Sequence, residues 1–322
     1  CHSLSDVPDI IDTWNEGKVA DVEGYYENAK INRVYVDRVH VKKAFAEYTA
    51  AYNADDPKIK LKIDHTYRVA ALCERIAKAA GMCVYDVELA WLSGMLHDVG
   101  RFEQIKRYNT FSDADSVDHA KFGADLLFKD GLISTFLNGM VKCTGYKPGA
   151  LENRYSSDGV FLYDRLNKSD MEMLELAIRC HNMYRIPQGL NRREQAFCNV
   201  LRDADKVDIF KVNIDTPLEE IYNTTTEELM KSDITDEVLE AFDEEHCILK
   251  AIRRTPADTV IGHVSLAYEL VYDESVRITV EQGYLAKLMH FHSDNEETNR
   301  KMAMVREKMD SYVKKRIGEK DA

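Results

Sequence analysis

The chain has 322 residues and a formal net charge of −13, and 45% of its residues are apolar. That is enough apolar material for a sizeable core, in one large domain or two modest ones. The acidic balance argues against duplex nucleic acid as a partner, because binding to a phosphate backbone needs clustered Lys and Arg. A small anion stays compatible with it if metal ions or a few local cations cancel the charge.

The sequence contains seven cysteines and no CxxC spacing. An odd number, mostly within apolar stretches, fits buried free thiols in a reducing cytoplasm better than a disulfide framework. No run of 18 apolar residues occurs, so the sequence predicts no membrane span. The first residue is Cys rather than Met, which favours a fragment or a processed chain, with a lipidated N-terminal Cys as the alternative.

Apolar residues recur near the 3.6-residue helical period from Val36 onward. Residues 1–35 are weakly periodic and are predicted to be an N-terminal appendage, and "YKPGALENRYSSDG" (146–159) is predicted to be a loop. Helices are predicted at 36–52, 65–82, 84–100, 118–128, 169–182, 192–211, 235–250, 256–290 and 295–317.

These patterns predict an all-α helical bundle, because strand-like alternation is scarce. Residues 36–210 are predicted to form the main domain. Residues 211–322 are predicted to be C-terminal helices packed on it, since no Pro- or Ser-rich linker separates the two parts.

Six side chains that can bind a metal lie on five of the predicted helices, mostly near helix ends, where they could converge on one cavity. They are His65 at a helix start, His97 and Asp98 at a helix end, His119 at a start, His181 at an end, and Asp205 inside a helix. Four imidazoles and two carboxylates suit two divalent ions such as Mn, Fe, Co, Ni or Zn. Because an unpaired buried carboxylate is costly, Asp98 is predicted to bridge two cations.

In order and local context these residues resemble the HD superfamily of metal-dependent phosphohydrolases, over roughly residues 60–210. The core motif His … His-Asp … Asp matches "HTYRVA", "LSGMLHDVGR" and "RDADKVDIF" in this chain. His119 in "SVDHAKFGA" and His181 in "AIRCHNMY" look like the positions that complete a two-metal site in part of the superfamily. The chain has His181-Asn182 where one subset has His-His, and it lacks the Gly-Tyr-Pro signature of cyclic-di-GMP phosphodiesterases.

The resemblance implies an HD-domain bundle that holds two divalent ions, with Fe, Mn, Co, Ni, Zn and Mg as candidates. The first ion would be held by His65, His97, Asp98 and Asp205, and the second by His119, His181 and the bridging Asp98. A water or hydroxide between the ions would be the nucleophile. Arg101 and Lys206 closely follow motif residues and are predicted to contact substrate phosphate, so they join Asp98 as the predicted catalytic residues.

The predicted function is hydrolysis of a phosphoester or phosphoanhydride, in a small substrate such as a nucleotide or dinucleotide, in the cytoplasm. Taken singly, each predicted ligand or phosphate contact has an ordinary structural interpretation, such as a member of a hydrogen-bonded pair or of a solvent-exposed helix face. Their joint order favours metal binding. Two alternatives stay open at this point: a mixed-valence di-iron oxygenase with a similar ligand set, and a non-catalytic nucleotide or metal sensor.

Overall fold

The computed structural model describes residues 36–53, 55–137 and 168–318. These residues form helices joined by turns and contain no β-strand, which confirms the predicted all-α fold. The predicted appendage at 1–35 and the predicted loop at 146–159 lie outside the described residues. The same is true of Cys1 and Cys143.

The helices that surround the six predicted metal ligands begin with clear local signals. Asp56 accepts a hydrogen bond from the Lys58 amide, and Pro57 follows it at the first helical position. A capping box between Asn191 and Glu194 starts the longest helix. The helices of this part are α1 (Arg38–Thr49), α2 (Pro57–Ala79), α3 (Val84–Leu96), α4 (Val99–Tyr108), α5 (His119–Ala124), α6 (Ile133–Leu137), α7 (Lys168–Cys180) and α8 (Arg192–Asp215). A π-helical turn, Asp125–Lys129, continues α5.

The C-terminal part consists of shorter helices followed by one long helix. They are α9 (Leu218–Tyr222), α10 (Thr226–Lys231), α11 (Asp236–Asp243), α12 (Pro256–Val264), α13 (Asp273–Gln282), α14 (Tyr284–Met289) and α15 (Glu296–Ile317). Two 3₁₀ turns, Lys250–Ile252 and Ser265–Glu269, lie between them.

At least four of the predicted helix assignments were wrong. The predicted helix 235–250 ends at Asp243. The predicted helix 84–100 is two helices, because the chain turns at His97 and Asp98. The predicted helix 256–290 is interrupted after Glu269 and again at Gly283, which takes a left-handed conformation with φ of 69°. His65 lies in the interior of α2 and not at a helix start, since α2 begins eight residues earlier at Pro57.

Helix α8 lies at the centre of the fold. It packs against α2, α3 and α7, and it also contacts α13, α14 and the 3₁₀ turn Ser265–Glu269. Its fully buried side chains include Phe197, Leu201 and Val207. The C-terminal helices therefore meet the metal-ligand helices through α8. Their bounds as a separate unit stay a prediction.

The described cysteines are all free thiols, as predicted: Cys73, Cys180, Cys198 and Cys247 are buried, and Cys83 is exposed. No helix within the described ranges has both the length and the apolar character needed to cross a membrane.

Candidate metal centre

His97 and Asp98 lie at a corner between two helices. Helix α3 ends at Leu96 and α4 begins at Val99, and Asp98 has φ of −105° and ψ of 14°, outside the regular helical values. Both side chains are buried, at 0% and 2% exposure. A residue pair within one continuous helix would point about 100° apart around the axis. The corner instead lets adjacent residues aim at the same place.

Four of the predicted ligands meet around one point. The Nε2 atom of His65 lies 3.3 Å from Nε2 of His97, 3.5 Å from Oδ2 of Asp98 and 3.2 Å from Oδ1 of Asp205. His97 Nε2 lies 3.5 Å from Asp98 Oδ2 and 3.8 Å from Asp205 Oδ1. We call these four residues, with Asp98 contributing Oδ2, the first half-site.

The remaining two predicted ligands meet at the other oxygen of Asp98. Its Oδ1 atom lies 3.5 Å from Nε2 of His119 and 3.8 Å from Nε2 of His181, and these two nitrogens are 3.1 Å apart. We call these three residues, with Asp98 contributing Oδ1, the second half-site. Asp98 thus presents one oxygen to each half-site, which is the arrangement of a bridging carboxylate. All six predicted ligands are brought together.

Backbone carbonyls orient one histidine of each half-site. Nδ1 of His97 lies 2.8 Å from the Gly94 carbonyl oxygen, and Nδ1 of His181 lies 2.7 Å from that of Ile178. A carbonyl oxygen only accepts, so Nδ1 carries the proton in both rings. Their Nε2 lone pairs therefore point into the centre, as in histidines that bind metals.

Carboxylates orient the other histidine of each half-site. Nδ1 of His65 donates to Asp208 Oδ2 at 2.6 Å, and Nδ1 of His119 donates to Asp113 Oδ2 at 2.7 Å. Asp208 is held in turn by two hydrogen bonds from Arg68, at 2.6 and 2.9 Å. A carboxylate behind an imidazole fixes the ring and raises its basicity as a ligand.

Burial and neighbouring charge set the protonation of the ligands. Burial, and then the Arg101 guanidinium, lower the pKa of His119 to about 4. Burial, and then His97, lower the pKa of His181 to about 4. Burial acts to raise the pKa of Asp98, but Lys62 and its histidine neighbours outweigh it and hold that pKa well below its usual range. The second half-site therefore offers two neutral imidazoles and a carboxylate at neutral pH.

The first half-site differs in its histidine pKa values. Burial and the Lys62 ammonium act to lower the pKa of His65, but hydrogen bonds to Asp205 and Asp208 outweigh them and raise it. Burial lowers the pKa of His97. His65 is thus the ligand whose proton would compete most strongly with a metal ion.

Small residues allow the ligand helices to approach closely. A Cβ atom added at Gly94 would lie 2.6 Å from Cα of Ala70, where α3 crosses α2. One added at Gly100 would overlap the His119 carbonyl oxygen and lie 2.7 Å from the Gly123 amide nitrogen, where α4 meets α5. The first contact brings His97 to His65, and the second brings Asp98 to His119.

The donor set fits divalent cations. Donors about 2.1 Å from a zinc-like ion lie roughly 3.0–3.4 Å apart in octahedral or tetrahedral geometry. The donor pairs of both half-sites lie 3.1–3.8 Å apart, close to that spacing. Lone pairs and carboxylate oxygens at these distances repel one another unless a cation or a shared proton lies between them.

Two cations lie beside Asp98. Lys62 Nζ is 2.7 Å from Asp98 Oδ2, and Arg101 Nε is 3.9 Å from Asp98 Oδ1. Arg101 Nη1 also donates to the Phe111 carbonyl oxygen and to Asp113 Oδ1, so it holds the loop that carries Asp113. Arg101 Nε is buried and has no hydrogen-bond partner among the described residues. The predicted residue Arg101 is therefore at the centre, with one group still free.

Lys206, the other predicted cation, lies next to Asp205 on α8 and is 9% exposed. Burial lowers its pKa. No ion pair or hydrogen bond joins it to Asp98 in the described part of the chain. The structure therefore places Lys206 beside a predicted ligand but not against the bridging carboxylate.

Three residues that support the predicted ligands were not predicted from the sequence: Lys62, Asp113 and Asp208. Two of them had a readable signal, since Lys62 lies three residues before His65 and Asp208 three residues after Asp205, on the same helical faces. Asp113 lies in the loop between α4 and α5, where no periodicity applies. It forms a further possible metal group with Asp118 and His119, but the Nδ1 atom of His119 already donates to it.

Residues 63–210 match the model of the HD domain family. The match includes all six predicted ligands, together with Asp113 and Asp208, and so identifies this part of the chain as an HD domain, of the superfamily of metal-dependent phosphohydrolases. Comparisons with curated proteins and with solved structures found no significant match.

Proposed function

We propose that this chain, whose residues 63–210 are an HD domain, is an enzyme that hydrolyses a phosphoester or phosphoanhydride in a nucleotide or dinucleotide. The observation that carries the proposal is the position of Asp98. One of its carboxylate oxygens lies 3.5 Å from Nε2 of His65 and the other lies 3.5 Å from Nε2 of His119, so each half-site includes one oxygen of Asp98. A chain that needed only one structural ion would not require the second half-site.

The proposed cofactors are two divalent cations, for which Fe, Mn, Co, Ni, Zn and Mg are candidates. Bound there, they would activate a water for attack and stabilise charge on the phosphoryl oxygens. The mixed nitrogen and oxygen donors favour the transition ions over Mg. The fixed Nδ1 hydrogen bonds keep the four imidazoles aimed at the centre without reorganisation.

The proposed contacts to substrate come from cations around Asp98. The free Nε group of Arg101 could donate to a phosphoryl oxygen, while its Nη1 group keeps the Asp113 loop in place. The Lys62 ammonium, which lies 2.7 Å from Asp98, is a further candidate. Lys206 does not contact Asp98, so we propose that it binds a part of the substrate that lies away from Asp98. A cytoplasmic location stays a prediction that the free thiols support.

The test is turnover by the full chain reconstituted with Mn²⁺. We expect hydrolysis of bis(p-nitrophenyl) phosphate, and faster hydrolysis of at least one member of a panel of nucleotides and dinucleotide polyphosphates. Asp205→Asn should abolish turnover. Asp203→Asn is the matched control, because Asp203 is a buried carboxylate on the same helix that accepts hydrogen bonds from the Val271 and Tyr272 amides instead.

A second preparation of the full chain, with its native metal, separates the hydrolase from the oxygenase that the ligand set also allows. Metal analysis of protein purified without oxygen gives the native ion. Iron-dependent consumption of O₂, with no phosphate released from any member of the panel, would contradict the proposal.

A further inference from the structure

Two buried cations on α8 are not among the side chains that form the two half-sites. Arg202 and Lys206 are 8% and 9% exposed, and they lie four residues apart, one on each side of the predicted ligand Asp205 in the chain. Side chains with this spacing share one face of a helix, and two like charges there repel each other. Burying both without full compensation is costly, so their surroundings need an explanation.

Arg202 is only partly satisfied. Its Nη2 atom donates to the carbonyl oxygens of Met183 and Tyr184, at 3.0 and 3.1 Å, in the segment that follows His181. Among the described residues it forms an ion pair with Glu269, with Nη2 to Oε2 at 3.9 Å. Its Nε atom is buried and has no hydrogen-bond partner among the described residues.

Lys206 has no protein partner among the described residues. None of the hydrogen bonds and ion pairs within residues 36–53, 55–137 and 168–318 involves its ammonium group, although Nζ, unlike Arg202 Nε, is not a fully buried atom without a partner. The carboxylate of Asp203, one turn away, is already used, since it accepts from the Val271 and Tyr272 amides and from the Ser275 hydroxyl. Glu269 also accepts from the Cys247 amide, at 3.4 Å.

Segments of the C-terminal part of the chain also lie beside these two cations. Glu269 ends the 3₁₀ turn that contacts α8, and Tyr184 donates through its hydroxyl to the Cys247 carbonyl oxygen at 3.0 Å. Three carboxylates, those of Asp203, Asp205 and Glu269, act electrostatically on Lys206, but Asp203 already accepts from the Val271 and Tyr272 amides and Asp205 faces the predicted metal centre. Two nitrogen groups, Lys206 Nζ and Arg202 Nε, remain as free donors to an anion.

We propose that Arg202 and Lys206 form a binding subsite for a second anionic group of the substrate, next to the metal centre. The subsite rests on the proposed function and narrows its substrate to a molecule with at least two phosphates, one at the metal ions and one at these cations. Because Lys206 directly follows Asp205, the two groups would lie within roughly 10 Å of each other. A pyrophosphate or polyphosphate moiety meets that requirement.

The test is binding of two probes to the Mn²⁺-loaded full chain by calorimetry, with metal content checked afterwards. The probes are inorganic phosphate and imidodiphosphate, a non-hydrolysable analogue of pyrophosphate. We expect imidodiphosphate to bind at least about tenfold more tightly than phosphate, as a further charge-assisted contact predicts. Lys206→Met should remove most of this preference while metal content and phosphate binding stay unchanged.

A matched control removes the same charge from the same helix. Lys211 forms an ion pair with Asp215 and is 28% exposed, so Lys211→Met should keep the preference for imidodiphosphate. Thermal denaturation without ligand gives a second readout. Loss of an unpaired buried ammonium should leave the melting temperature of Lys206→Met equal to or above that of the wild type.

Three results would overturn the subsite: no preference in the wild type, a preference that survives Lys206→Met, or a clear fall in melting temperature in that variant, which would mark Lys206 as a structural cation. The proposed function fails separately. If imidodiphosphate binds as expected and no phosphate compound is hydrolysed, the subsite stands and the hydrolase proposal does not.

Discussion

The two half-sites use the same devices in different surroundings. Each has one histidine whose Nδ1 donates to a backbone carbonyl three residues earlier, and one whose Nδ1 donates to a carboxylate. In the first half-site that carboxylate, Asp208, is 2% exposed and lies on the central helix α8. In the second, the carboxylate is Asp113, which is 32% exposed and lies in a loop.

This difference suggests that packing holds the first half-site and a loop holds the second. The loop at Asp113 depends on two residues of α4, the partly buried Arg101 and the buried Gln104, which both hydrogen bond to Asp113 Oδ1. A loop opens locally more readily than a packed helix pair. We therefore expect the first half-site to bind its ion more tightly, and the second to exchange its ion more readily.

The largest effect is expected from a substitution that disrupts both half-sites at once. Asp98→Asn removes the anionic ligand that they share, so we expect loss of both bound metals and at least about a thousandfold loss of turnover. Elemental analysis and kinetics measure this. Asp203→Asn should keep both metals per folded protein. An Asp98→Asn enzyme with two bound ions would refute the shared carboxylate.

Two glycine substitutions should each disturb one half-site and not the other, by moving the helix backbone. Gly94→Ala would push α3 away from Ala70 and so disturb the first half-site, whereas Gly100→Ala would push α4 away from His119 and disturb the second. Each should cost about 1–3 kcal/mol of the free energy of unfolding. The expected result is loss of the tighter ion in the first variant and of the weaker ion in the second. Equal loss in both would contradict two separate half-sites.

Two isosteric substitutions test the supporting carboxylates. Asp208→Asn should weaken binding of the tighter ion by about tenfold to a hundredfold, and Asp113→Asn should weaken binding of the other ion by a similar factor. Calorimetric titration of the metal-free proteins with Mn²⁺ resolves the two affinities. If both variants weakened the same ion, the assignment of His65 and His119 to different ions would be wrong.

The smallest expected effect comes from the residue behind Asp208. Arg68 donates two hydrogen bonds to Asp208 but is 31% exposed, so water can replace part of its contribution. Arg68→Met should weaken the tighter ion by at most about fivefold. Arg75→Met is the control, because Arg75 lies on the same helix and pairs with Glu274 and Glu281 instead. A larger effect from Arg75 would show that helix stability, and not Asp208, is responsible.

The all-α fold and the convergence of the six predicted ligands could be predicted from the sequence, because both depend on residue order. Helical periodicity is local, and His65, His97-Asp98 and Asp205 stand in characteristic segments. The corner at His97 was missed because the apolar run continues without a break into Val99 and Gly100. Periodicity does not reveal a turn whose residues are all buried.

The supporting contacts could be predicted only in part. Asp208 lies one turn after Asp205, so it could have been placed on the same face, but its bond to His65 spans 143 residues. Asp113 and Arg101 meet through a loop whose path no local pattern fixes. The unpaired state of Lys206 depends on the burial of its neighbours, which becomes visible only when α8 packs against the C-terminal helices.

The central claim is that Asp98 is shared by two ions, and anomalous diffraction from crystals of the Mn²⁺-loaded protein tests it most directly. We predict two anomalous peaks on either side of Asp98, one among His65, His97 and Asp205, and one between His119 and His181. On lowering the Mn²⁺ concentration, the second peak should fade first. A single peak at saturating Mn²⁺, with His119 and His181 free of metal, would contradict the account.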